Sequence, residues 1–280
     1  MKVFSRGVSR NDPYRRLLER ARTSGTTDHY LDAVLYDHEY KRRKHDVLHY
    51  RTLAREIGGP ILELGCGSGR ILRPLVRDGH QVVGVDASPS MLARLRQRLP
   101  RAHAARAEIL RGDIREISLG RKFPLVLCAF NTLMHLYTRA DVEACFAVAR
   151  RHLQPGGVFA FDVINPDLRW LSRDPTRRWA RTRFRHPRTG ERMIYTTTLE
   201  WVGPLQIAFM KIYYQPESGS RREKVVELAH RYFFPREIEE ICTYNGFSLE
   251  RHDGDFLGEP LSNESEQQVC ICRPTSPSRK

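Results

Sequence analysis

The chain has 280 residues, 40% hydrophobic and 29% charged, with a net charge of +14 at neutral pH. This is the composition of a soluble globular protein long enough to bury a sizeable core. No stretch approaches the roughly 18 uninterrupted apolar residues of a membrane span, and the N-terminus Met1-Lys-Val-Phe-Ser-Arg6 lacks the apolar segment of a signal peptide. Cys66, Cys128, Cys145, Cys242, Cys270 and Cys272 form no C-x-x-C pair. They read as reduced buried thiols of a cytoplasmic protein without a metal site.

Residues 1–57 read as an N-terminal arm and a helical cap. The first 27 are polar and basic, with one short helical pattern around Tyr14-Arg-Arg-Leu17-Leu18, and are expected to be loosely held. From 28 to 57, Tyr30, Val34, Tyr36, Tyr40, Val47, Tyr50, Leu53 and Ile57 mark a helical region. Helical spacing puts Tyr36, Tyr40, Arg43 and Val47 on one face.

The chain is organised around Ile61-Leu-Glu63-Leu-Gly65-Cys66-Gly67-Ser-Gly69-Arg70. An apolar strand ends on Glu63, a glycine turn follows, and a helix begins with Ile71-Leu72. Glycines allow positive φ and close backbone approach to a ligand, and a helix start offers free N–H groups to an anion. A dinucleotide turn reads G-x-G-x-x-G/A. Here the third glycine comes one place early and Arg70 takes its position, which argues against NAD or FAD. The pattern E-x-G-x-G-x-G resembles motif I of the class I S-adenosylmethionine-dependent methyltransferases.

Further along, His80-Gln-Val82-Val83-Gly-Val85-Asp86 is a second strand ending in a carboxylate. Ala87-Ser88-Pro89-Ser90-Met91 then opens a helix, with Ser88 as N-cap and Pro89 at N1. A third strand, Ala107 to Leu110, runs into Gly112-Asp113-Ile114. A fourth, Phe123 to Phe130, carries Asn131-Thr-Leu-Met-His135 at its carboxyl end, where open parallel sheets bind ligands. Helix Arg139 to Leu153, the turn Gln154-Pro-Gly-Gly157 and a fifth strand, Val158 to Val163, follow.

After the fifth strand the pattern changes. Residues 165–189 are basic and poorly periodic, and the stretch from Arg169 to Arg192 carries half of the net charge. Three β-like stretches come next, Met193 to Val202, Leu205 to Tyr214 and Lys224 to Phe234. Helix Pro235 to Asn245, closed by Gly246, and a hairpin of Phe247 to Phe256 with Gln268 to Arg273 end the chain.

The resemblance spans roughly residues 30–273. It implies an α/β fold: a doubly wound, seven-stranded, mostly parallel sheet with an antiparallel last strand, and an antiparallel β insertion after the fifth strand. The expected layout is a methyltransferase domain over 58–273, with 164–234 as the insertion capping the acceptor, and a disordered tail at 274–280. The implied cofactor is S-adenosyl-L-methionine, held by Glu63, Gly65, Cys66, Gly67 and Gly69. Asp86 would take the ribose hydroxyls, with Ala87 beside it, Met91 the adenine face, and Asp113 with the Ile114 N–H the adenine edge. Phe130 and Asn131 would also contact it. Tyr36 and Tyr40 would close over the methionine end, and Arg43 or its competitor Arg70 would pair with the carboxylate.

In-line methyl transfer needs alignment and a dry pocket more than acid–base chemistry. His135 is the candidate general base if the nucleophile arrives protonated, and an ordinary core histidine otherwise. The expected partner is a small-molecule methyl acceptor, acidic if the arginine segment binds it. Tyr40, Tyr195 and Arg231 are candidate acceptor contacts, and at least one of His135, Tyr195 and Arg231 is expected near the transfer position. The place of an [N/D]-P-P-[Y/F/W] motif is taken by Ala129-Phe130-Asn131-Thr132, which lowers a nucleic-acid reading. An RNA or protein methyltransferase recruited by 169–192, and a non-catalytic cofactor-binding protein, remain the alternatives.

Overall fold

The computed structural model describes residues 13–219 and 222–275. The expectations for residues 1–12 and 276–280 lie outside the described residues. One sheet has seven strands: β1 (Ile61–Leu64), β2 (Val82–Asp86), β3 (Ala107–Arg111), β4 (Phe123–Cys128), β5 (Leu153–Ile164), and, late in the chain, Phe247–Asp253 and Gln267–Pro274. A second sheet lies between them in sequence: β6 (Trp179–Arg185), β7 (Arg192–Val202), β8 (Ile207–Pro216) and β9 (Lys224–Arg231). The two late strands are therefore β10 and β11.

The large sheet runs β10-β11-β5-β4-β1-β2-β3. Its pairings are parallel except those of β11, which is antiparallel to both β5 and β10. The central strands β1 and β4 are apolar and covered on both faces, as parallel strands with helices on either side must be. Glu63 is the exception, a buried carboxylate at the carboxyl end of β1.

The helices are α1 (Arg15–Arg22), α2 (Ser24–Thr27), α3 (Ala33–Tyr40), α4 (His45–Ile57), α5 (Leu72–Arg77), α6 (Pro89–Arg98), α7 (Arg139–His152), α8 (Leu168–Leu171) and α9 (Pro235–Tyr244). Ser88 accepts the Met91 N–H at the start of α6, and Thr138 and Asp141 form a capping box on α7. Among the described residues no helix is long and apolar enough to cross a membrane.

Four sequence expectations are corrected. Residues 13–27 are not a loose arm: Leu18 and Ala21 are buried against Ile207, Phe209 and Ala229, and Arg20 reaches both Glu200 and Glu227. The helical region across 28–57 is not continuous through the shared face of Tyr36, Tyr40, Arg43 and Val47: α3 stops at Tyr40 and α4 starts at His45. Between them Lys41 to Lys44 are four consecutive exposed cations with no apolar face to bury. Among the described residues the insertion has four strands rather than three. Its extra edge strand β6, Trp-Ala-Arg-Thr-Arg-Phe-Arg, is exposed along most of its length and so shows no apolar alternation, although charge on an edge strand is a recognised guard against unwanted pairing. Finally, Pro274 is not tail: it ends β11, opposite Phe247.

Candidate functional site

The site begins at the turn after β1. The Gly65 and Cys66 N–H groups both donate to the Val85 carbonyl, at 2.8 and 3.0 Å. Gly65 has φ +78°, and a Cβ there would sit 2.4 Å from Thr132 Cγ2. Backbone angle and space both demand glycine. Gly67 (φ +53°) donates its N–H to Asp86 Oδ2 at 2.8 Å, while Ser88 N–H donates to Asp86 Oδ1 at 2.8 Å. Asp86 thus ties the first turn to the second and uses two of its roughly four acceptor positions. Burial raises its pKa, against the pull of these two donors.

Above these strand ends lies a cavity of about 830 Å³. Glu63, Gly65, Cys66, Gly67, Asp86, Ala87, Met91, Asp113 and Ile114 line it from the sheet side. Tyr36, Arg70, Phe130 and His135 line it from above or beside. Glu63 Oε2 is buried with no protein partner, and burial, opposed by Arg70, pushes this carboxyl well above its usual range. Arg70 forks onto Asp46 through both Nη atoms and stacks 3.9 Å over the Phe130 ring, leaving a buried Nε without a protein partner. Asp113 is held by Arg115 at 2.6 Å.

Six proposed site residues lie elsewhere. Arg43 is exposed on the loop after α3 and lines a separate cavity, because the helix that would have carried it inward ends at Tyr40. Arg70, in contrast, lines the cleft. Gly69 serves packing: a Cβ there would lie 2.2 Å from Leu95 Cδ1 of α6. Asn131 is buried and does not line the cavity. Tyr40 forms a layer behind the wall, its ring 5.0 Å from Phe130 and 4.8 Å from Tyr36. Tyr195 packs on Tyr214 within the insertion. Arg231 is committed to Glu237 at 2.6 Å and to the Phe233 face. Of His135, Tyr195 and Arg231, only His135 lines the cavity.

His135 brings with it a residue that sequence reasoning did not single out. Tyr30 donates its O–H toward His135 Nε2 at 2.7 Å. The direction follows from the other ring nitrogen. Thr26 spends its hydroxyl proton on the Ala21 carbonyl, and the Tyr137 O–H donates to the Ala229 carbonyl at 3.0 Å. Tyr137 therefore accepts from His135 Nδ1–H at 3.3 Å, which leaves Nε2 as the acceptor. Burial, with a contribution from His29, lowers the His135 pKa to about 4, so the ring is neutral at pH 7. Burial likewise holds the Tyr30 phenol well above its usual range. The two residues stand 105 positions apart, and no local pattern links them.

A sheet of this order, with the glycine turn, Asp86 and Asp113 at one cleft, defines the class I methyltransferase architecture. Residues 61–157 match the family model described as a methyltransferase domain, so the chain carries such a domain; the ligand in one structure of similar fold, the glycopeptide N-methyltransferase MtfA, is S-adenosylmethionine. The donor set suits that molecule: a buried carboxylate oxygen, a buried guanidinium N–H, two further carboxylates and a glycine cradle.

The chain is 34% identical over 129 residues to the dTDP-3-amino-3,4,6-trideoxy-alpha-D-glucopyranose N,N-dimethyltransferase of Streptomyces venezuelae, covering 44% of this chain and 51% of that one. It is 37% identical over 98 residues to the dTDP-3-amino-3,6-dideoxy-alpha-D-glucopyranose N,N-dimethyltransferase of Streptomyces fradiae, covering 35% and 36%. The chain thus spans about half or less of the length of these curated relatives. Its fold is similar to that of the CcbJ methyltransferase from Streptomyces caelestis, with TM-score 0.72 at 22% identity, over 88% of this chain and 98% of that one.

Proposed function

We propose that the chain is an S-adenosylmethionine-dependent methyltransferase that methylates an amine on a small-molecule acceptor. The observation that carries this reading is that one cavity holds both the cofactor donor set and the neutral Tyr30–His135 pair. When bound, the cofactor supplies an electrophilic methyl group on sulfur. Asp86 accepts from the ribose hydroxyls. Asp113 and the Ile114 N–H read the adenine edge, and Met91 packs on its face. Glu63 takes the methionine ammonium and Arg70 its carboxylate, with Tyr36 as a lid.

The same pair favours nitrogen over oxygen as the acceptor atom. The proton acceptor is His135, with a pKa of about 4. So weak a base suits an amine, which attacks as the neutral form, better than a hydroxyl, which must give up its proton to attack. Burial of the acceptor ammonium lowers its pKa and favours that neutral form. Tyr30 accepts from the nucleophile while passing its own proton to Nε2. The described parts of residues 1–57 form the roof, and the insertion at 164–234 forms the lid behind it. Six buried free thiols support a reducing, cytoplasmic setting.

The test is methyl transfer from labelled S-adenosylmethionine to a panel of small amines that includes nucleotide-linked amino sugars, the substrates named for the two relatives. Tyr30→Phe should lower kcat by about 100-fold while cofactor affinity stays within twofold. Turnover of hydroxyl acceptors alone, or full activity in Tyr30→Phe, overturns the assignment.

A further inference from the structure

At the carboxyl end of β5 the side chain of Asp162 is fully buried. Its Oδ1 accepts the Tyr50 O–H at 2.5 Å and the Phe130 N–H at 2.7 Å, and its Oδ2 accepts the Asn131 N–H at 3.3 Å. Phe130 and Asn131 are consecutive non-glycine residues with φ +57° and +63°. Left-handed L-residues persist only where their surroundings over-determine them. Successive N–H groups in a turn form a concavity for an anion, and here the chain supplies the anion itself.

The consequence of this turn is the place of one ring. Phe130 is shared between the cofactor cleft and a second cavity of about 620 Å³, which has Asp162, Arg43 and Phe256 on its lining. On the cleft side, the Arg70 guanidinium lies against the same ring.

We infer that Asp162 is a positioning residue: its carboxylate, tethered by Tyr50, locks the left-handed Phe130–Asn131 turn and so fixes the wall between the cofactor cleft and the second cavity. The inference rests on reading the first cavity as the S-adenosylmethionine site. Asp162 acts through Phe130 rather than by touching cofactor or acceptor.

Ionisation offers a handle that a merely space-filling residue would lack. Burial raises the Asp162 pKa to about 6, with the Tyr50 and Phe130 donors and Arg70 pulling it down and Asp46 pushing it up. From β4 and β11 it is faced by the Cys128 and Cys270 thiols, which burial keeps neutral. Protonation weakens the carboxylate as an acceptor, so the clamp loosens as pH falls through that midpoint.

The experiment follows the backbone amide signals of Phe130 and Asn131 in the full-length, isotope-labelled protein between about pH 5 and 8. Both should titrate together with a midpoint near 6, and Asp162→Asn should abolish the titration. Tyr50→Phe removes a donor to the anion and should raise the midpoint by about half a unit. S-adenosylhomocysteine, measured by calorimetry, should bind about fivefold more weakly to Asp162→Asn. The wild type should weaken in the same direction as pH falls, with the variant flat. Amides that do not titrate, or Asp162→Asn binding within twofold of wild type at both ends of the range, overturn the inference. If Asp162→Asn does not fold, an unchanged midpoint in Tyr50→Phe overturns it. Titrating amides in a wild type that binds no S-adenosylhomocysteine support the clamp and retire the functional reading instead.

Discussion

The glycine turn and the roof above it enclose the same cavity by different means. Below, Gly65, Cys66 and Gly67 hang on Val85 and Asp86, contacts that close within a single strand–helix–strand unit. Above, the contacts join residues far apart in sequence. Arg20 meets Glu227 across 207 positions, Tyr214 donates to Glu39 across 175, and Tyr30 meets His135 across 105. The lower half is determined by local backbone geometry, which tolerates almost no added atom. The upper half depends on ion pairs and buried phenols, whose strength varies with pH and whose partners can be exchanged. On the proposed function, the cofactor would rest mainly on the fixed geometry below and the acceptor would meet the adjustable contacts above.

The sharpest way to break this contrast is Gly65→Ala. A Cβ 2.4 Å from Thr132 at φ +78° combines overpacking with left-handed strain, and the expected cost is about 3 kcal/mol of stability, read by urea unfolding. An unperturbed Gly65→Ala protein would mean that the turn is as adjustable as the roof. Next is Asp86→Ala, expected to weaken S-adenosylmethionine binding by about 1.5–3 kcal/mol in calorimetry. Because Asp86 also holds the Gly67 N–H, some of the loss should appear as reduced thermal stability.

On the roof, Glu39 tests the opposite side of the contrast. Burial lifts its pKa from 4.5 to about 7, against the Tyr214 hydrogen bond. The folded state binds this proton more tightly than the unfolded chain does. Its stabilising contribution is therefore full below the unfolded value and is lost as pH rises through about 7. Glu39→Gln keeps an acceptor for Tyr214 and should gain about 1–2 kcal/mol at alkaline pH relative to wild type, with little gain in acid. Equal pH profiles for both proteins in thermal melts would count against it. Smallest of all is the replacement of Arg177, Arg178 and Arg181 by Gln. Arg178 pairs with Glu223 at the surface and Arg177 lies over Trp179, so stability and cofactor affinity should change by less than about 0.5 kcal/mol. A selective loss of acceptor turnover would make this segment part of acceptor recognition.

The same division decides what the sequence revealed. Glycine spacing, a carboxylate at a strand end and an N-cap serine are short-range signals, and each located its element to within a residue or two. The seven-stranded, mostly parallel sheet and its antiparallel last strand followed from recognising that series. The roof left no comparable trace. Tyr30 reads as one more apolar position until the fold brings His135 to it. Arg231 looks like a free anchor until α9 presents Glu237. β6 escaped because an exposed edge strand of alternating arginines buries almost nothing, and burial is what creates a readable period. Arg43 was misplaced by extending a helix through four cations that end it. Asp162 gave no warning either, since its meaning lies in two left-handed residues on another strand.

Gly25 of α2 lies so close to β9 that a Cβ there would sit 2.6 Å from the Ala229 methyl. This fit sets an order of assembly. In synthesis α1 and α2 precede β9 by some 200 positions, so the Gly25–Ala229 fit and the Arg20–Glu227 pair cannot form until late. The glycine turn and Asp86 can meet as soon as β2 is made, whereas the roof must wait for a closure across most of the chain. Such long-range pairings are the slow ones, so refolding is expected to form the glycine-turn floor before the roof that shields the cleft from water.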